Sequence, residues 1–326
     1  MNRRQKLVQK QFLNNEKAVI GRLNSVYGQA LADINSKIET LQFSIDGLQQ
    51  QYDWLDPDDP ERVKIKSMIQ SKIYQKKYQE QLQSQVDGIL KQMQTSQFTS
   101  ISEYLDTCYT DGFIGTIFDA HGQGVPIITP IDQEAMVRAV QLDSKISKGL
   151  YTRLGEDVDL LKKKITAQVS RSIATGMSFA QTAKALEGQT KIGYNRAVRI
   201  ARTEGHRIQI TGTMDAMEKA KEKGADVLKQ WDATLDDRTR ESHSQVDGEI
   251  RETDKPFSNG LMFPGDPSGG AAEVVNCRCA LLQRARWALD EGELHTLKER
   301  AEYFGLDKST EFDDFKTKYL KTIEWV

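Results

Sequence analysis

The chain is poor in the residues that mark several common protein classes. Only three of its 326 residues are cysteine, an odd number that gives no disulfide framework and fits a reducing compartment. Seven prolines and 38% hydrophobic content exclude a disordered or collagen-like chain and favour helix. No run of 18 uninterrupted apolar residues occurs, so no membrane span is expected. The N-terminus is basic but is not followed by the apolar core of a secretory leader. Net charge is −2, so no global field draws the chain to nucleic acid or a membrane surface. The length leaves room for about two domains with a real core.

What is present is mostly helical pattern. Apolar residues fall at Ile20, Leu23, Tyr27, Leu31, Ile34, Ile38, Leu41, Ile45, Leu48 and Tyr52, in steps of three and four. This heptad-like seam needs a partner helix. The stretch Asp53–Pro60 breaks it, because each proline disfavours helix in the residue before. A second helix carries Ile65, Ile69, Ile73, Leu82, Val86, Ile89 and Met93, so an antiparallel hairpin is the simplest arrangement, with part of the seam open to a partner. Residues 1–14 hold Arg3, Arg4, Lys6 and Lys10 and no acid. They read as a frayed, solvated start or as a basic arm for nucleic acid or an acidic partner.

Gly112–Thr129 reads as two β-rich runs around His-Gly-Gln-Gly, a hairpin with His121 at its tip, and Cys108 as a small buried hydrophobe. Helices resume from Asp132. Val158, Leu161, Ile165, Val169 and Ile173 keep helical spacing up to Gly176, a suitable C′ residue. Ser178 and Gln181 form a capping box for a short helix through Leu186, and a longer helix runs from about Gly193 to Lys223, before Gly224. That helix carries Arg196, Arg199, Arg202, Glu204, His206 and Arg207, read as a polar face with an internal ion pair or as a phosphate-contacting cluster. Glu204 is equally suited to buttressing a neighbouring loop. Leu289–Val326 reads as one or two packing helices.

Between Trp231 and Cys279 the composition shifts to Asp, Gly and Pro, which suits short strands and tight turns. Val227–Trp231 is an entering strand, Val246–Glu249 a tight hairpin turn and Ala272–Leu282 a returning strand. Cys277 and Cys279 stand two apart, so in an extended segment both sulfurs face one way. With His243 and the nearby Asp236, Asp237 and Asp247 they form a candidate structural zinc set. Two other readings stay open: buried thiols with His243 bonded to the Asp-Asp-Arg-Thr-Arg loop, or a strained Cys–Cys bridge. Asp236, Asp237, His243 and Glu249 can also be drawn as a general-base or metal-hydrolase set. No P-loop, nucleophile elbow or His-Glu-x-x-His accompanies them, so a structural role outweighs catalysis.

In order along the chain stand Ala-Arg-Thr-Glu at 201–204, Trp231 to His243, Asp-Gly at 247–248, Phe257, Pro-Gly-Asp-Pro at 264–267 and Asn-Cys-Arg-Cys at 276–279. This ordered set resembles the phage head morphogenesis domain, the group similar to the phage Mu F protein. The motif positions are Arg202, Glu204, Trp231, Asp237, Arg238, Thr239, Arg240, His243, Gly248, Pro264, Asn276, Cys277 and Cys279. The resemblance implies a minor capsid protein, not an enzyme, in the capsid interior or at the portal vertex of the virion, and in the host cytoplasm during assembly. Its implied partners are the portal protein and the major capsid or scaffolding protein, with phage DNA as a further candidate met through Arg3, Arg4, Arg196, Arg199 and Arg207, and no membrane. A DNA-binding ejection factor and a metal-dependent hydrolase or toxin-type enzyme are the alternatives.

The expected fold is α+β and mostly helical. It divides into a helical hairpin over 1–100, a β-hairpin with a connecting helix over 101–150, the head morphogenesis domain over 151–285 and a helical tail over 286–326.

Overall fold

The computed structural model describes residues 1–70, 72–141, 150–175, 177, 179–286 and 291–324. The expectations at Gly176 and Ser178 lie outside these residues, as do the side chains of Leu41, Ile45, Ile73 and Ile173.

Helix α1 runs Arg3–Trp54, α2 Pro60–Gln70 and α3 Lys72–Gly122. The first helix starts well before the seam because Asn2 and Gln5 cap each other. Gln5 N donates to Asn2 Oδ1, and Asn2 N to Gln5 Oε1, both at 2.9 Å. The frayed start expected from the local charge is therefore corrected to a docked helix. Arg4 donates to Phe118 O at 2.6 Å and lies over the Phe118 ring. Buried Asp119 accepts from Asn2, Gln5 and Gln123, while burial pushes its carboxyl above the usual range. The break before α2 is as the prolines suggest: Asp59 Oδ1 accepts from Glu61 N at 2.7 Å, and Pro60 opens the helix.

The β-hairpin expected at Gly112–Thr129 is helix as far as Gly122. Residues 111–120 are buried all round, so they show no amphipathic period and mimic a strand-like apolar run. His-Gly-Gln-Gly closes the helix: Gly124 takes φ 86°, Gly124 N donates to His121 O and Val125 N to Ala120 O. His121 thus sits in the last helical turn, with Nε2 2.8 Å from Ile127 O. Cys108 is fully buried, as expected.

Helices α4 (Gln133–Gln141), α5 (Leu150–Thr175) and α6 (Phe179–Glu222) follow. The separate helices expected around 178–186 and 193–223 are one. Gly193 marks a close approach inside it: a Cβ there would stand 3.1 Å from the Tyr27 ring and 3.2 Å from Leu161. At the far end Gly224 N donates to Lys221 O and Ala225 N to Ala220 O, which ends α6 where the sequence suggests.

The rest comprises β1 (Asp226–Asp232), α7 (Glu241–Ser244), β2 (Ile250–Glu252), α8 (Ala271–Val274), β3 (Ala280–Arg286), α9 (Glu291–Tyr303) and α10 (Phe312–Ile323). The sheet is antiparallel in the order β2-β1-β3, with Trp231 opposite Leu281 and Gln230 opposite Ile250. The returning strand begins at Ala280 rather than Ala272, because α8 occupies part of that stretch. The protein is thus α+β and mostly helical, with a small antiparallel sheet.

Two compact units result. One comprises Gly21–Ser100 and Tyr151–Val198. Within it Val19's successors on α1, namely Leu23, Tyr27, Ala30, Ile34 and Ile38, are buried, as are Leu82, Val86, Leu90 and Met93 on α3. Tyr27 Oη donates to Gln97 Oε1 at 2.7 Å, which ties α1 to α3. The other unit comprises Met1–Ile20, Ile101–Leu150 and Arg199–Val326. There α3 and α6 cross with backbones almost touching. A Cβ on Gly112 would stand 2.1 Å from Gln209 O, and one on Gly212 2.3 Å from Tyr109 O. This crossing holds the part of α6 that carries Thr203, His206 and Arg207. Among the described residues no helix is long and apolar enough to cross a membrane.

Candidate metal and structural site

β1 delivers Trp231, fully buried, into the core of the compact turn-rich segment between Trp231 and Cys279, here called the knot. Its indole packs edge-on against His243, at 5.1 Å between centroids, and against Phe257 at 5.2 Å. Lys229, two residues earlier on the same face, donates to Thr253 O at 3.0 Å and Met262 O at 2.8 Å, tying two loops to the strand. Burial pulls its ammonium down to about 8.

His243 sits on α7 and is 1% exposed. Its Nδ1 lies 3.6 Å from Cys277 Sγ and 3.4 Å from Cys279 Sγ. On the other side Glu273 Oε2 stands 3.0 Å from Nε2, close but poorly aligned for a hydrogen bond, and also accepts from Ser242 Oγ at 2.8 Å. All three candidate ligands of the sequence therefore meet, with each ligand atom within 4.8 Å of the others. Cys279 is held well below the usual thiol range, first because the Cys277 thiol donates to it, then because of His243; Cys277 is pushed up correspondingly.

The chain turns into this cluster at Asn276, which takes φ 56°. Asparagine tolerates that left-handed conformation better than most residues. Helix α6 fixes the turn from behind: Asn276 N donates to Thr203 Oγ1 at 3.2 Å, and His206 Nε2 lies 2.7 Å from Cys279 O. Buried His206 is held below its usual range by desolvation. Gly265 has φ 82°, and a Cβ there would stand 3.0 Å from His206 Nδ1, so the loop after Pro264 can lie against α6.

The other predicted residues separate into internal ties. Asp236, not Asp237, takes Arg278 in a bidentate pair at 2.6 Å and accepts from Arg238 N and Thr239 Oγ1. Those contacts, led by Arg278, hold its carboxyl well below the usual range. Asp237 and Arg238 are exposed. Arg240 donates to Val275 O at 2.6 Å. Asp247 Oδ1 accepts from Ala233 N, and Glu249 accepts from Ser258 N and Oγ. The set drawn as catalytic is thus dispersed, and the carboxylate beside His243 is Glu273. His243 faces the two sulfurs rather than the Asp-Asp-Arg-Thr-Arg loop. Gly248 takes φ 75° and donates to Trp231 O, but β1 and β2 are joined through residues 233–249 rather than by a tight two-residue turn.

Glu204 and Arg207 form a buried ion pair at 2.8 Å, and Arg207 also donates to Ala139 O. Arg202 pairs with Glu16 at 3.0 Å and Arg196 with Asp157 at 2.7 Å. Arg199 is exposed, and Arg3 meets Glu311 at 3.1 Å at the surface. Sequence reasoning missed Glu273, Lys229, Thr203 and His206 as parts of the site. Of these the sequence reading named only His206, as part of the polar face of the long helix.

With this geometry in view, residues 163–282 match the family model described as Phage Mu protein F like protein. The stretch is thus similar to the phage Mu F-like, head morphogenesis family. Minor head protein GP7 of Bacillus phage SPP1 is 28% identical over 204 residues, 60% of this chain and 65% of that protein. The NAD(+)--arginine ADP-ribosyltransferase EFV of Enterococcus faecalis (strain ATCC 700802 / V583) is 35% identical over 150 residues, 45% of this chain. The chain thus spans 30% of one curated relative and 65% of the other. No solved structure matches it significantly. The Mu F-like match covers α6, β1, β2, the start of β3 and the whole His243–Cys277–Cys279 cluster.

Proposed function

We propose that the chain is a minor head protein of a tailed phage, a structural part of the head that docks near the portal vertex during procapsid assembly. The observation that carries this is its likeness to the minor head protein GP7, which extends over 60% of the chain, together with the Mu F-like match over residues 163–282. The site supports a structural rather than a catalytic role. Its charged groups are largely bound to one another or to backbone carbonyls, and His243, Cys277 and Cys279 are all at most 5% exposed. The partners in this reading are the portal and the major capsid or scaffolding protein.

A DNA-binding ejection role has less support, because Arg4 and Arg207 are held by internal acceptors. Phosphate binding through Arg3 and Arg199 would weaken steeply with salt, and a flat salt response removes that role. The likeness to an ADP-ribosyltransferase spans less than a third of that protein, so its activity is not carried over.

The test is an in-frame deletion in the encoding phage, complemented by wild type or by Trp231→Ala. The expected result is loss of normal filled heads, rescued by wild type and poorly by the variant. Normal, infectious heads without the chain would overturn the proposal.

A further inference from the structure

The geometry points to a zinc-binding site in which His243 Nδ1, Cys277 Sγ and Cys279 Sγ are the ligands and Glu273 positions the imidazole. Bonds of about 2.3 Å to sulfur and about 2.0 Å to nitrogen, meeting at a tetrahedral angle, keep sulfur and nitrogen about 3.5 Å apart. The separations here are 3.6 and 3.4 Å. A single Nδ1 cannot align one hydrogen bond with two sulfurs, whereas one metal ion satisfies all three atoms. The Glu273 carboxylate lies 3.0 Å from the remaining ring nitrogen, the place where metal-bound histidines usually meet a carboxylate. With the ring proton on Nε2, on the side of that carboxylate, Nδ1 keeps the lone pair that faces the sulfurs.

A soft, two-sulfur, one-nitrogen set selects Zn²⁺ over Mg²⁺ or Ca²⁺. On binding, each thiol still protonated releases its proton to solvent, two sulfur–metal bonds and one nitrogen–metal bond form, and no electron is transferred. Among the described residues no fourth histidine, cysteine or carboxylate joins the cluster. Ligands that are 1–5% exposed suit a staple more than a turnover site. The staple joins α7 to the turn before β3, two segments more than thirty residues apart. This inference is independent of the head protein reading.

The full chain, produced in zinc-supplemented medium, is weighed by native mass spectrometry and its metal quantified. One zinc per chain is expected in wild type, and none in Cys277→Ser/Cys279→Ser. Wild type carrying no more zinc than the double variant overturns the site. Since that variant could fail to fold, wild type is also stripped and loaded with Co²⁺. Thiolate-to-cobalt charge transfer with tetrahedral visible bands is expected, and a purely octahedral spectrum overturns the assignment. Glu273→Gln keeps the ligands; chelator competition should show zinc held about 10- to 100-fold more weakly, with the melting temperature of the metal-free protein unchanged. Unchanged affinity overturns the role given to Glu273.

Discussion

A single methyl group at the α3–α6 crossing should destabilise the protein in a way that helix propensity alone would get backwards. In an open helix interior, glycine to alanine is worth up to about 1 kcal/mol in favour of alanine. At Gly212 the new Cβ would stand 2.3 Å from Tyr109 O, 3.1 Å from Tyr109 C and 3.2 Å from Phe113 N. These are backbone atoms of another long helix, so no rotamer change relieves the clash. The helices must separate locally by about 1 Å, and overpacking of this kind costs about 1–3 kcal/mol or more. Set against the propensity gain, the net for Gly212→Ala is a loss of about 1–2 kcal/mol, read as a melting temperature lower by about 2–4 °C per kcal/mol.

Gly188, also in α6, has nothing within 4 Å of its Cβ position, so Gly188→Ala should stabilise by about 0.5–1 kcal/mol. Gly112→Ala meets Gln209 O at 2.1 Å across the same crossing. One separation relieves both clashes, so the double variant should cost less than the sum of its parts. Urea unfolding followed by circular dichroism checks all four proteins. A Gly212→Ala protein as stable as wild type, or strict additivity with Gly112→Ala, would refute the close-crossing argument.

Three further outcomes follow from the same contacts. His121 is pulled down to about 4 by burial, so the fold prefers its neutral form. Its contribution is full above the unfolded value near 6.5 and is lost as pH falls toward 4, on the order of 3 kcal/mol; His121→Gln should flatten that part of the acid unfolding curve relative to wild type. Removing one side of the buried Glu204–Arg207 pair, as in Arg207→Met, should cost about 3–5 kcal/mol, and adding Glu204→Leu should recover much of it. A thermodynamic cycle without coupling would contradict the pairing. Trp231→Ala, which empties the centre of the knot, should cost about 3–5 kcal/mol of stability.

Much of the fold was legible because it rests on local rules. Periodicity marked α1, prolines marked the break before α2, and Gly224 marked the end of α6. The error at 112–122 came where the rule fails: a helix buried on every side has no polar face to give it a period. Its glycines are there for the close crossing and the C-cap, not for a β-turn. The N-terminal helix was missed because its basic residues find acceptors distant in sequence, such as Phe118 O and Glu311.

In the knot, the residue types of the cluster were visible, but the choice between carboxylates was not. Asp236, Asp237, Asp247 and Glu249 all lay near His243 in sequence, yet Glu273 is the one that reaches its ring. That choice depends on α8 and the turn at Asn276, which only the folded chain displays.

The measurement that bears most directly on the central claim is quantitative mass spectrometry of purified phage heads from cells expressing the encoding phage. Under the proposed function the chain should be recovered with the heads and remain there after washing in high salt. A chain found only in the soluble cell fraction, and absent from the heads, would contradict the account.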